Sequence, residues 1–325
     1  MKKLISLLLA LAMVLCLCAC GGNSDAPASA DGEPLTIAVS TIAYSIAVLP
    51  QVLIDNLQAL CESNGWNFSM LSAEGDAMLQ GEQITSLVSK SPDYLVIFPA
   101  DGTLAIDWCA EAQKAGVPTI CMHVDVDPSC KDTGSCIAYC GIDNTAVATS
   151  IYDYMIQLNG ADAEMGIVEI GGVPVQADYI VRTGTFNDAI AGSGYTQLGD
   201  IAWAYSSRAD AQTAMENFIG SYGDQIDILV SFDDDLTMGG VSALQEKGMT
   251  DVQVYSITGQ KEAMEAIQKG QMTMTVFTST AAMAEKVVEV INAVEAGETV
   301  EYYQYIDAPI VDASNVAEYL DKAEF

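Results

Sequence analysis

The chain has 325 residues, with 44 acidic and 12 basic side chains, one histidine and a formal net charge of −32. A body this acidic repels nucleic acid and anionic lipid headgroups, which excludes both as expected partners, while the charge itself asks for nothing beyond a solvated surface. Half of the residues are apolar, ample for sizeable cores, and the length admits one large domain or two lobes.

The chain opens with Lys2 and Lys3, a positive flank, followed by an apolar run from Leu4 to Leu17 that is too short to span a bilayer well. That run ends in Leu17-Cys18-Ala19-Cys20, with Gly21 next. The tetrapeptide resembles a bacterial lipobox, with small Ala19 before Cys20; Cys18 fits badly because bulky Leu17 precedes it. Residues 1–20 are therefore expected to be a lipoprotein signal, with Cys20 as the lipidated mature terminus. A plain secretory signal with coincidental cysteines is the alternative. Residues 21–34, rich in Gly, Ser, Ala, Asp and Pro, read as a flexible tether. No later apolar run is long enough to cross a membrane. The expectation is a soluble body outside the cytoplasm, anchored to the bacterial cell membrane by a lipid.

From Leu35 the chain alternates short β-branched runs with stretches of helical spacing. Residues 35–40 (LTIAVS) read as a strand, and 48–65 as a helix that stops at Gly65. Residues 67–73 are strand-like, 77–90 helical, 94–100 (YLVIFPA) a buried strand, 103–116 a helix closed by Gly116, and 117–123 (VPTICMH) the next strand. The alternation repeats with 136–142, 144–160 and 164–170, then a helix carrying Arg182 and Phe186. A strand over 196–205, a helix over 208–223 and a strand over 226–232 follow. Residues 252–257, 261–270, 272–278, a long helix from Ala281 to Ala296 and a run at 301–309 complete the body. This order predicts two doubly wound, mostly parallel sheets covered on both faces. Ligands of such sheets bind beyond the carboxyl ends of the strands.

At one such end stand three consecutive acids, Asp233, Asp234 and Asp235, at the start of a helical pattern that closes at Gly248. Capping and the helix dipole account for one or two of them. The third asks for another reason. Beyond Cys20 there are six cysteines, at 61, 109, 121, 130, 136 and 140. Cys130 and Cys136 bracket a turn-like KDTGS and are the favoured pair if a disulfide forms. Alternatively the cysteines are small buried hydrophobes, as Cys121 and Cys140 look inside strands. A zinc set of Cys121, His123, Cys130 and Cys136 is weak, since no CxxC pair occurs. No metal and no cofactor are expected.

Several segments in order resemble the type I periplasmic solute-binding proteins, in the branch typified by ribose-binding protein. These are IAVSTIAYSI at 37–46, GVPTICMHVD at 116–125, GIDNTAVAT at 141–149, RTGTF at 182–186 and SFDDDLTMGGVSALQEKG at 231–248. The resemblance covers the body from about residue 35 onward. It implies two lobes joined by a three-segment hinge near Ile142-Asp143, Thr278-Ser279 and Asp307-Ala308. Residues 35–142 plus 279–307 would form the first lobe and 143–278 plus 308–325 the second. Lobe closure about such a hinge traps a small ligand.

The resemblance also assigns a cleft. Asp233 would bind ligand, Asp234 would cap the following helix, and Asp235 would be a first-turn residue. Arg182 falls on the family's binding arginine, whose planar fork holds vicinal hydroxyls or a carboxylate. Tyr44 would stack on a sugar face, with ordinary loop packing as the alternative. His123 stands where a cleft carboxylate is common and can donate and accept; a satisfied structural histidine is the alternative. Trp203 and Tyr205 end a strand on the cleft side, where core packing competes with stacking. Thr258 and Thr278 replace the family's frequent Asp and Gln, and Val124 replaces an Arg, so the identity of the sugar is not legible.

The leading function is capture of a sugar or related polar metabolite for an ABC importer, with its permease as partner and the protein itself a monomer. A ligand-presenting sensor for a membrane receptor is the alternative. An extracytoplasmic hydrolase is weaker: no Ser-His-Asp order, metal motif or phosphate loop is present, and the chain is not expected to be an enzyme.

Overall fold

The structure is a computed structural model and describes residues 33–325. Cys20 and the tether up to residue 32 lie outside the described residues. The chain alternates as β1 (Thr36–Thr41), α1 (Val48–Ser63), β2 (Asn67–Ser72), α2 (Ala77–Val88), β3 (Tyr94–Phe98), α3 (Ala105–Lys114), β4 (Thr119–Met122), α4 (Pro128–Thr133) and β5 (Ala138–Gly141). There follow α5 (Asn144–Asn159), β6 (Met165–Gly171), α6 (Ala177–Ile190), β7 (Tyr195–Gln197), β8 (Ala202–Trp203), α7 (Arg208–Tyr222), β9 (Ile228–Ser231), α8 (Asp234–Lys247) and β10 (Gln253–Thr258). The last elements are α9 (Lys261–Gln268), β11 (Met274–Phe277), α10 (Thr280–Glu295), β12 (Tyr303–Tyr305), β13 (Ile310–Asp312) and α11 (Val316–Tyr319).

The strands make two sheets. The first has the order β12-β5-β4-β3-β1-β2, parallel throughout. The second has the order β13-β11-β10-β9-β6-β7, with β8 also on β6, and only β13 is antiparallel. All five residues of β3 are buried, as a central strand covered on both faces requires. In α1 the buried Pro50, Leu53, Ile54, Leu57 and Cys61 recur at three and four, so one stripe faces the sheet. Asp76 opens α2 by accepting from the N–H groups of Met78 and Leu79. The two doubly wound parallel sheets expected from the alternation are thus the fold.

The chain passes between the sheets three times, after β5, after β11 and after β12. Two local expectations need correction. Residues 196–205 are not one strand: β7 and β8 pair with successive parts of β6, with Gly199 at φ +79° between them. A side chain there would meet the hydroxyl of Tyr222 at 2.5 Å, so the kink needs glycine. The turn around KDTGS includes a helical turn, α4, capped by Asp127, begun by Pro128 and closed by left-handed Gly134.

Candidate functional site

The strands of each sheet point their carboxyl ends at the gap between the lobes, and the polar side chains gather there. Arg182, on the buried face of α6, is only 4 % exposed. Its Nε donates to Asn144 Oδ1 at 2.7 Å, at the first crossing. Its Nη1 donates to the carbonyl of Phe232 at 3.2 Å and lies 3.3 Å from Asp178 Oδ2, one turn back along α6. The guanidinium therefore links α5, α6 and the end of β9. The sequence reading missed Asp178, although an acid four residues before an arginine on a helix is a legible signal.

His123 enters from the first sheet, just past β4. Its backbone is left-handed, with φ +68°. Its N–H donates to the carbonyl of Cys140, and its own carbonyl accepts from the hydroxyl of Tyr139 at 2.9 Å. The ring stands edge-on to Phe98, with centroids 4.8 Å apart. Burial pushes the imidazole down to about 4; Asp178 works against the shift and Arg182 adds to it. The ring is thus neutral at physiological pH, able to donate from one nitrogen and accept at the other. Its Nδ1 is buried and has no hydrogen-bond partner, and the same is true of Asp178 Oδ1. Each lobe thus contributes one orphaned buried polar atom.

The acidic trio is arranged differently from the expectation. Asp233, not Asp234, caps α8: its Oδ1 accepts from the N–H groups of Asp235 at 2.8 Å and Leu236 at 3.2 Å. Burial raises its carboxyl above the ordinary value, with Arg182 among the groups that oppose the shift. Asp234 is fully buried and points into the second lobe. It accepts from the N–H groups of Gly259 and Gln260, both at 2.7 Å, and from the hydroxyl of Thr275 at 2.8 Å. Asp234 thus fastens α8 to the loop after β10. Asp235 pairs with Arg208 on α7 at 2.8 Å.

Residues 37–299 match the model of the periplasmic binding protein domain family. The chain belongs to that family. Among its relatives, the ribose import binding protein RbsB of Salmonella typhimurium is 23 % identical over 279 residues, 85 % of this chain and 91 % of that protein. The D-xylose-binding periplasmic protein of Haemophilus influenzae is 28 % identical, over 73 % of this chain and 70 % of that one. The xylitol-binding protein of Mycolicibacterium smegmatis is 24 % identical, over 77 % and 69 %. A galactofuranose binding protein superposes with a TM-score of 0.82 at 20 % identity, covering 90 % of this chain and 99 % of that structure. A solute binding protein from Bacillus halodurans with bound myo-inositol gives 0.79 at 24 %, covering 89 % and 98 %. These likenesses carry the shared fold.

Within this periplasmic binding protein fold the remaining candidates are dispersed. Tyr44, in the turn after β1, donates its hydroxyl to Asp55 on α1 at 2.7 Å. Trp203 packs over Gly171, where a side chain would lie 2.5 Å from its ring. Tyr205 stands on the rim, 67 % exposed, with φ +47°. Thr258 and Thr278 latch the second crossing: the N–H and hydroxyl of Thr278 donate to the carbonyl of Thr258, at 3.0 and 3.1 Å. The hydroxyl proton of Thr278 is therefore already engaged within the protein. A cavity of about 340 Å³ lies between the lobes on the β12 flank, lined by Gly102, Asp125, Asn144, Ala177, Ile180 and Tyr305 among others. Asn144 connects it with the arginine cluster; none of the eight residues expected from sequence lines it.

Proposed function

We propose that this protein captures a sugar or related polyol between its two lobes and hands it to the permease of an ABC importer. The observation that carries this reading is the pair of orphaned buried atoms, His123 Nδ1 and Asp178 Oδ1, beside the fork of Arg182. Buried polar groups are nearly always paired. A hydroxyl-rich ligand offers a donor to the carboxylate and either a donor or an acceptor to the imidazole, while the guanidinium grips a vicinal pair. The names of the relatives, binding proteins for ribose, xylose and xylitol, support the same ligand class.

Residues 35–142 plus 279–307 move as one lobe and 143–278 plus 308–325 as the other, hinged at the three crossings. The protein works as a monomer outside the cytoplasm, held to the membrane by a lipid on Cys20, and is not an enzyme. A thermal-shift and calorimetric screen across pentoses, hexoses, polyols, nucleosides and amino acids tests the ligand class. A sugar or polyol should raise the melting temperature by linkage. A response confined to nucleosides or amino acids, or none at all, would refute the reading.

A further inference from the structure

The segment after β13 ties the second lobe to the first. Its body is built onto the second lobe: β13 pairs with β11, and the rings of Tyr319 and Phe277 pack with centroids 5.5 Å apart. The N–H of Lys261, at the start of α9, donates to the main-chain oxygen of Phe325 at 2.8 Å. From this lobe the side chain of Glu324 reaches α10 and α1, which pack against each other in the first lobe. Its Oε1 accepts from Ser279 Oγ at 2.6 Å. Its Oε2 accepts from the hydroxyl of Thr280, from the N–H of Ala281 at 3.1 Å and from Asn56 Nδ2 at 3.5 Å. Asn56, on α1, also donates to Thr280 Oγ1 at 3.0 Å. Donors from α1, α10 and its cap thus converge on one carboxylate, at the helix end that favours negative charge. Capping alone does not call for Glu324, because Ser279 Oγ already accepts from the N–H of Ala282 at 3.1 Å.

We infer that Glu324 is a latch across the hinge, which biases the ligand-free protein toward the arrangement seen here, with the lobes touching. They touch at Gly102 and Ala177, where a Cβ on the glycine would lie 3.5 Å from that of Ala177. The latch rests on the mobility of the lobes proposed above, and not on the ligand being a sugar. The bonding changes sides at the second crossing. Thr278 is held by Thr258 of the second lobe, whereas Ser279, Thr280 and Ala281 are held by Glu324. At the third crossing the main-chain ties stay within one lobe each: Ile306 N–H donates to the carbonyl of Gly141 and Phe277 N–H to that of Pro309, both at 2.9 Å. Hydrogen bonds weaken steeply once bent, so turning α1 and α10 away from Glu324 breaks several together. Losing even one bond to a charged group shifts an equilibrium on the order of tenfold.

Small-angle scattering of the ligand-free mature protein reads the arrangement of the lobes, and hydrogen exchange in α11 reads the seating of the tail. In Glu324→Ala the radius of gyration should rise while α11 keeps its protection. Asn56→Ala, which alters the first-lobe side of the same latch, should shift the radius in the same direction, and the double variant should open little further than Glu324→Ala. Lys322→Ala is the control: its ammonium lies over the ring of Tyr319 at 4.4 Å, within the second lobe, and the radius should not change. Ala177→Trp wedges the lobes apart where they touch and shows the radius of the opened protein. If Ala177→Trp expands the protein and Glu324→Ala does not, the lobes move but Glu324 does not hold them, and the inference fails. An unchanged radius with faster exchange in α11 would show that Glu324 only seats the tail. Expansion by Lys322→Ala equal to that by Glu324→Ala would credit tail packing instead of the carboxylate. If no variant expands the protein, the lobes are rigid, and lobe motion falls together with the latch.

Discussion

Replacing Glu169 by glutamine should stabilise the protein at neutral pH and flatten its pH dependence. Glu169 lies on β6, fully buried beneath α6. Its Oε2 accepts from Asn187 Nδ2 at 3.2 Å, and its Oε1 has no hydrogen-bond partner. Burial pushes the carboxyl from 4.5 up to about 8, against the pull of Asn187. Between those values the folded protein holds a proton that the unfolded chain has released, so stability falls as pH rises through this window. At about 1.4 kcal/mol per pH unit, the loss from about pH 5 to pH 7 is on the order of 3 kcal/mol. Glutamine has the shape and hydrogen-bonding groups of the neutral acid and does not titrate. Urea unfolding of both proteins at about pH 5, 6, 7 and 8 isolates the effect, because contributions from His123, Asp125 and Asp234 cancel in the difference. The advantage of the variant should grow steadily across the series. Parallel stability curves would show that the Glu169 carboxyl ionises in the folded protein as easily as in water.

Asp234→Ala removes the acceptor of three buried donors and should cost about 3–5 kcal/mol of stability, whereas Asp233→Ala should cost about 1 kcal/mol as a lost cap and also weaken ligand binding; equal effects on unfolding would contradict the observed roles. Asp235→Asn should change neither much, since its partner Arg208 keeps Glu262 at 2.7 Å. Arg182→Ala should weaken sugar binding by about 1.5–3 kcal/mol in calorimetry and, by leaving Asp178 buried without its counter-charge, should also destabilise the fold; unchanged affinity would place the ligand elsewhere. Because the folded imidazole of His123 is held at about 4 against an ordinary 6.5, its contribution to stability is complete above the higher value and is lost as pH falls toward the lower one. The His123 ring resonances should accordingly show no titration from about pH 6 to 8 in NMR, and a transition of the ring itself in that range would refute the shift. Scattering should give a smaller radius of gyration with saturating sugar, and identical curves would refute lobe closure.

Much of this protein follows from its sequence alone. The alternation of β-branched runs with helical spacing was enough for two parallel sheets, because burial on both faces and burial on one stripe leave different periods in the chain. Arg182 stood out in the sequence through the resemblance, which puts it on the family's binding arginine, and the fold buries it against Asn144 and Asp178. The tertiary structure decided what local pattern leaves open. Three consecutive aspartates have the same chemistry, and only the point where β9 stops puts Asp233 in extended backbone as the cap and turns Asp234 toward Gly259. Only the side-by-side pairing of β10 and β11 brings the hydroxyl of Thr278 to the carbonyl of Thr258. β13 and the tail give no periodic signal; their places come from pairing with β11 and from Glu324 accepting from Ser279 Oγ at 2.6 Å. The charges of Asp178 and Arg182 act on the imidazole of His123 across segments whose separation along the chain carries no information about their distance. A sequence records which side chains seek burial or a partner, and the path of the chain through the two sheets settles which partner each one meets.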